Sequence, residues 1–73
     1  HDRRGEGKTL NDLGVAYAIM GQYDQALDYL SQALLIRSMV KDSLGQGETL
    51  HNIGKIHLTR GQNELAREYF EQA

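Results

Sequence analysis

Residues 10–33 read Leu10-Asn11-Asp12-Leu13-Gly14-Val15-Ala16-Tyr17-Ala18-Ile19-Met20-Gly21-Gln22-Tyr23-Asp24-Gln25-Ala26-Leu27-Asp28-Tyr29-Leu30-Ser31-Gln32-Ala33, and the chain nearly repeats them 40 residues further on. Laying residues 2–33 on 42–73 brings Gly5, Gly7, Thr9, Leu10, Gly14, Gly21, Gln22, Ala26, Tyr29, Gln32 and Ala33 onto identical residues. Some mismatches at apolar positions exchange like for like, as in Leu13/Ile53 and Leu30/Phe70. A fixed core carried on a free surface is the mark of one supersecondary unit used more than once. Function is then to be sought on the surface that varies.

Within the quoted stretch Leu10, Leu13, Gly14, Tyr17 and Met20 share one helical face at i, i+3, i+4, i+7 and i+10, and Leu50, Ile53, Gly54 and His57 form the matching face later. Both faces are expected to point inward. Between Gly21 and Gly45, Ala26, Leu30, Ala33, Leu34 and Val40 make a stripe widened by Leu27, Tyr29, Ile36 and Met39. A helix this apolar packs on two sides and forms the centre of the core. No segment alternates with period two, so strands are not expected. Glycines punctuate the rest, and the pattern predicts an all-α chain with helices near 6–20, 23–41, 46–60 and 63–73. These divide into a first repeat over 1–40 and a second over 41–73, the latter cut short in its second helix.

Composition narrows the classes. Seventy-three residues with 40% apolar content make one small domain, in a size range where a single core leaves few kcal/mol of net stability. There is no cysteine, so neither disulfides nor thiolate metal sites arise, and a reducing, cytoplasmic setting is expected. A net charge of −2 with both signs interspersed gives no electrostatic footprint for nucleic acid. The longest apolar run is Leu34-Leu35-Ile36, against the ~20 residues of a membrane span. Neither partner is expected.

The pattern Leu10-x-x-Leu13-Gly14-x-x-Tyr17-x-x-x-Gly21-x-Tyr23-x-x-Ala26-x-x-x-Leu30-x-x-Ala33, echoed from Leu50 to Ala73, closely resembles the tetratricopeptide repeat. The resemblance implies tandem antiparallel helix pairs, an α-solenoid fragment of about two repeats. Gly14 and Gly54 would let each first helix approach its partner, Ala26 and Ala66 would do the same from the second helix, and Gly21 and Gly61 would permit the turn. The period is 40 rather than 34 and Ser38 replaces a common proline, so the extra residues are expected to prolong the second helix and its loop. This long variant resembles repeats of spindle-orientation adaptors that regulate G proteins, and of bacterial multi-repeat proteins.

Gly5-Glu6-Gly7-Lys8-Thr9 imitates the end of a phosphate-binding loop. Asp2 stands where its first glycine belongs, no strand precedes it, and the second copy reads Gly45-Gln46-Gly47-Glu48-Thr49 with an acid for the lysine. A flexible loop running into a helix accounts for both copies. His51 and His57 lie six residues apart, about 120° apart around a helix, so they cannot chelate one metal. His57 is read as a packed repeat residue. The serines have no histidine at helical contact spacing, and Asp24, Asp28, Glu64 and Glu68 read as a solvated face. No catalysis and no cofactor are expected.

What remains is the concave face that the first helices of such arrays line. It would carry Lys8, Asn11, Asp12, Val15 and Ile19 in one repeat and Glu48, His51, Asn52, Lys55 and Thr59 in the next. Of these, Lys8, Asn11, Val15, His51, Asn52, Lys55 and Thr59 are the expected peptide contacts, since amide and ammonium groups pair with an extended backbone. In co-chaperones with similar repeats, the position of Asn52 supplies an amide to a terminal carboxylate, but Val15 and Asn11 stand where that clamp wants an asparagine and a lysine, and Asp12 adds an opposing charge, so a terminal-carboxylate clamp is not expected. Two functions follow: a protein-interaction module within a larger scaffold or adaptor, or a structural unit that associates with copies of itself. The missing counterpart of residues 34–40 would leave apolar surface open, so the isolated chain is expected to be weakly stable or homo-oligomeric.

Overall fold

A computed structural model describes residues 2–73 and shows four helices, α1 (Arg3–Ile19), α2 (Tyr23–Met39), α3 (Ser43–Thr59) and α4 (Asn63–Gln72). Position 1, the first residue of the expected 1–40 repeat, lies outside the described residues. The first three helices are each 17 residues long. Turns at 20–22, 40–42 and 60–62 join the helices. The extra residues of the long period therefore lengthen the helices, and the loops stay short. Such short turns make sequential helices antiparallel, as the pairs Gly14–Leu30, Tyr17–Tyr29 and His57–Tyr69 show.

Every turn closes in the same way. Gly21 N–H donates to Ala18 O and Gln22 N–H to Tyr17 O; Lys41 with Asp42, and Gly61 with Gln62, repeat both bonds onto the helices before them. This is the Schellman arrangement, which needs one left-handed residue. Gly21 (φ 78°) and Gly61 (φ 80°) supply it without strain, while the middle turn uses Lys41 at φ 58°.

Helices α1 and α3 begin earlier than the expected 6 and 46. Asp2 accepts a hydrogen bond from Arg4 N–H and Asp42 from Gly45 N–H, so each aspartate caps a helix that already contains the paired glycines. The expected loop at Gly5 and Gly7, and at Gly45 and Gly47, is thus corrected: all four lie inside helices. At Gly7 and Gly45 the role is room, for a side-chain carbon at Gly7 would stand 3.0 Å from Arg37 Cγ, and one at Gly45 would stand 2.9 Å from Arg37 Cδ.

The core sits where α2 meets α3. Ala26, Leu30, Ile53 and Ile56 form its buried cluster, with Tyr17, Ala18, Tyr23, Leu27, Leu34 and Tyr69 against it. The two-sided packing expected of α2 is present: Gly14 and Tyr17 of α1 lie on one side, Ile53 and Ile56 of α3 on the other. A side-chain carbon at Gly14 would stand 2.6 Å from Leu30 Cγ, and one at Gly54 2.7 Å from the Phe70 ring, which bears out the close approach expected there. The inward face of α1 needs correction. Leu13 is 39% exposed and Met20 is exposed, whereas Ile53, the counterpart of Leu13, is 3% exposed beneath α2.

Candidate functional site

The seam between α1 and α3 is where the two first helices of the repeats meet. Its centre is polar. Arg37 enters from α2, the next member of the stripe Ala26, Leu30, Ala33, and is 5% exposed. Its Nη1 donates to Gly45 O at 2.9 Å, Glu48 Oε1 at 2.8 Å and Thr49 Oγ1 at 3.1 Å. Thr49 donates its hydroxyl to Asn11 Oδ1 at 2.9 Å. Asn11 Oδ1 also receives Asn52 Nδ2 at 3.2 Å, and Asn11 Nδ2 reaches Glu48 Oε1 at 3.5 Å.

The direction of these bonds follows from arginine chemistry. A guanidinium only donates, so the Thr49 oxygen accepts from it and sends its hydroxyl proton onward. That proton needs an acceptor, which orients the Asn11 amide with its oxygen toward Thr49. The same oxygen then requires a donor from Asn52, so the Asn52 nitrogen turns inward and its Oδ1 stays uncommitted.

Along this seam the surface dips. One hollow of about 200 Å³ is lined by Val15, Ala18, Ile19, Tyr23, Leu30, Asn52, Lys55, Ile56 and Thr59. The other, shallower and about 470 Å³, involves Asn11, Asp12, Val15, Ala16, Ile19, Glu48 and Asn52. They share Val15, Ile19 and Asn52 and so form one groove with an apolar end and a charged end.

Of the expected contact residues, Val15, Asn52, Lys55 and Thr59 come together around the first hollow. Asn11 lines the second but is 3% exposed; the expectation of a free groove contact is corrected, because its amide is consumed in joining the repeats. Thr59 donates its hydroxyl to Lys55 O at 3.0 Å. Lys8 lines neither hollow and pairs with Asp12 at 3.0 Å. His51 is turned to α4, its ring 5.2 Å from that of Phe70. His57 packs as expected, stacked on Tyr69 at 5.3 Å and bonded through Nδ1 to Gln62 Oε1 at 2.8 Å.

Arg37 is the residue that sequence reasoning missed. Its signal was present: Ala26, Leu30, Ala33 and Arg37 run at i, i+4, i+7 and i+11, which sets a charge on a buried stripe. The Gly5-Glu6-Gly7-Lys8-Thr9 stretch is helical, with Gly7 against Arg37, and offers no loop to cradle a phosphate.

The family model described as the tetratricopeptide repeat matches residues 6–73. No curated protein and no solved structure matches the chain. Among the described residues no helix is long and apolar enough to cross a membrane.

Proposed function

Because the chain belongs to the tetratricopeptide repeat family, whose repeats generally mediate protein–protein interactions, we propose that its α1–α3 groove receives an extended segment of a partner protein, as part of a larger scaffold or adaptor. The observation that carries this reading is the convergence of Val15, Asn52, Lys55 and Thr59 on one hollow. These positions differ between the two halves of the chain, while Gly14/Gly54 and Ala26/Ala66 do not. Variable polar groups over a constant core suit recognition of an extended backbone. A cytoplasmic setting belongs to the same proposal and rests on the cysteine-free sequence.

The test is selection from a displayed library of random peptides, followed by calorimetric titration of those enriched. Asn52→Ala combined with Lys55→Ala is expected to weaken binding at least about tenfold, a loss of ~1.4 kcal/mol, with helicity unchanged. Equal affinities for variant and wild type would remove this face from the interface.

A second reading, self-association, is favoured by the exposed Leu13 where Ile53 is covered. Asn63 and Arg67 of α4 hold the positions that Tyr23 and Leu27 hold in α2. End-to-end stacking would therefore set an apolar face on a polar one. A dimer that joins the α1 faces of two copies is the form this second reading takes.

A further inference from the structure

Building on the groove reading above, we infer that the groove selects a segment of the form apolar–x–acidic: a leucine-sized side chain enters the hollow between Val15 and Ile56, and a carboxylate two residues later pairs with Lys55. Three observations converge on this. The floor of the hollow is made of Leu30 and Ile56, both buried, and its rim carries Ile19, which is 81% exposed. The hollow is open to solvent and its volume of about 200 Å³ leaves space for a leucine-sized side chain against that floor. An apolar ligand group would also cover Ile19.

The charge pattern supplies the second element. Lys8 is paired with Asp12, Arg37 with Glu48, Arg60 with Asp24 and Arg4 lies near Asp42. Lys55 lines the hollow and pairs with no carboxylate among the described residues. It is the groove's uncompensated cation. At the other end Asp12 and Glu48 are already paired with Lys8 and Arg37, so that end offers an acid no free cation and a carboxylate has one favourable place.

The third element is the oriented amide of Asn52. Its nitrogen is turned to Asn11, so its oxygen faces the groove side as an acceptor. That oxygen suits a backbone N–H and disfavours a carboxylate placed directly on it, which sends the acid to Lys55 instead. Alternate side chains of an extended segment lie on one face, two residues spanning ~6.5–7 Å. An i, i+2 pair can thus place one group in the hollow and the other at its lysine rim, with the N–H between them near Asn52.

The test titrates the isotope-labelled 73-residue chain with a capped synthetic peptide, Gly-Leu-Ser-Glu-Gly, and reads backbone and methyl shifts by NMR. Shifts are expected at Val15, Ile19, Asn52, Lys55 and Ile56. Glutamine in place of the peptide's acid should weaken binding about two- to fivefold, as for an exposed ion pair. Serine in place of its leucine should weaken it at least about tenfold. Lys55→Gln, at an exposed position, should remove the difference between the acid and glutamine peptides. Equal affinity of those two peptides for the wild type, or no perturbation at these residues, overturns the inference. If library-selected peptides perturb the same residues but lack the apolar–x–acidic pattern, the inference falls and the groove reading stands. If every selected peptide perturbs residues elsewhere, both fall.

Discussion

A single guanidinium nitrogen, Arg37 Nη1, bonds three acceptors on α3, while its Nε is buried without a partner. An imperfectly satisfied buried charge adds little net stability, yet truncating it leaves a hole and unpaired groups behind. Arg37→Ala is expected to cost about 2–4 kcal/mol, whereas Arg37→Met, which keeps the packed stem, should cost clearly less; chemical denaturation of both variants checks the order. Glycines offer a second comparison at this scale. Alanine is the better helix former by ~1 kcal/mol, and at Gly47 the nearest atom to an added carbon is Ala73 C at 3.6 Å. Gly47→Ala should stabilise the chain by about 0.5–1 kcal/mol. At Gly14 the added carbon meets Leu30 Cγ at 2.6 Å and the Ala26 carbonyl oxygen at 3.1 Å. Gly14→Ala should therefore lose about 1–3 kcal/mol despite its propensity, and thermal melts that moved both variants in the same direction would refute the distinction.

Between helices, the same three-residue turn is used each time with one difference in chemistry. Lys41 holds the left-handed position that Gly21 and Gly61 hold elsewhere, at a conformational cost of ~1–2 kcal/mol for a residue with a Cβ. Glycine gives back part of that gain through the entropy of the unfolded chain. Lys41→Gly is expected to stabilise the fold by about 0.5–1 kcal/mol, read as a higher thermal midpoint with unchanged helicity. Helix existence and order were legible from periodicity, and α2 and α4 begin at or near their expected starts. The starts of α1 and α3 were not. A glycine pair reads as a loop in isolation, and only the Asp2 and Asp42 caps, with Arg37 lying over Gly7 and Gly45, make helix the better state.

The whole molecule is a slab of 38 × 25 × 13 Å, so thin that every helix has a face near solvent. On the α1 side Leu13 is uncovered at 39% exposure. If copies associate, that face should carry the contact: Leu13→Lys is expected to leave a monomer at all concentrations, with helicity kept, in sedimentation equilibrium. A wild type that is itself monomeric throughout would dispose of self-association. At this scale the boundary between sequence and structure is clear. Period, helix count, the close approaches at Gly14 and Gly54 and the buried stripe of α2 depend on spacing along one helix or between repeats, and spacing is written in the chain. Exposure of Leu13, burial of Asn11 and the turning of His51 toward Phe70 depend on which neighbour lies across each face. Helical periodicity places a residue on a face but does not say what stands opposite. Asn11 and His51 occupy equivalent positions, yet one is enclosed by Thr49, Asn52 and Glu48 of the following helix pair while the other lies exposed beside α4. The hydrogen bonds that converge on Asn11 Oδ1, from Arg37 through Thr49 on one side and from Asn52 on the other, are likewise a tertiary fact, because they need α1, α2 and α3 assembled before any one amide has a reason to point one way.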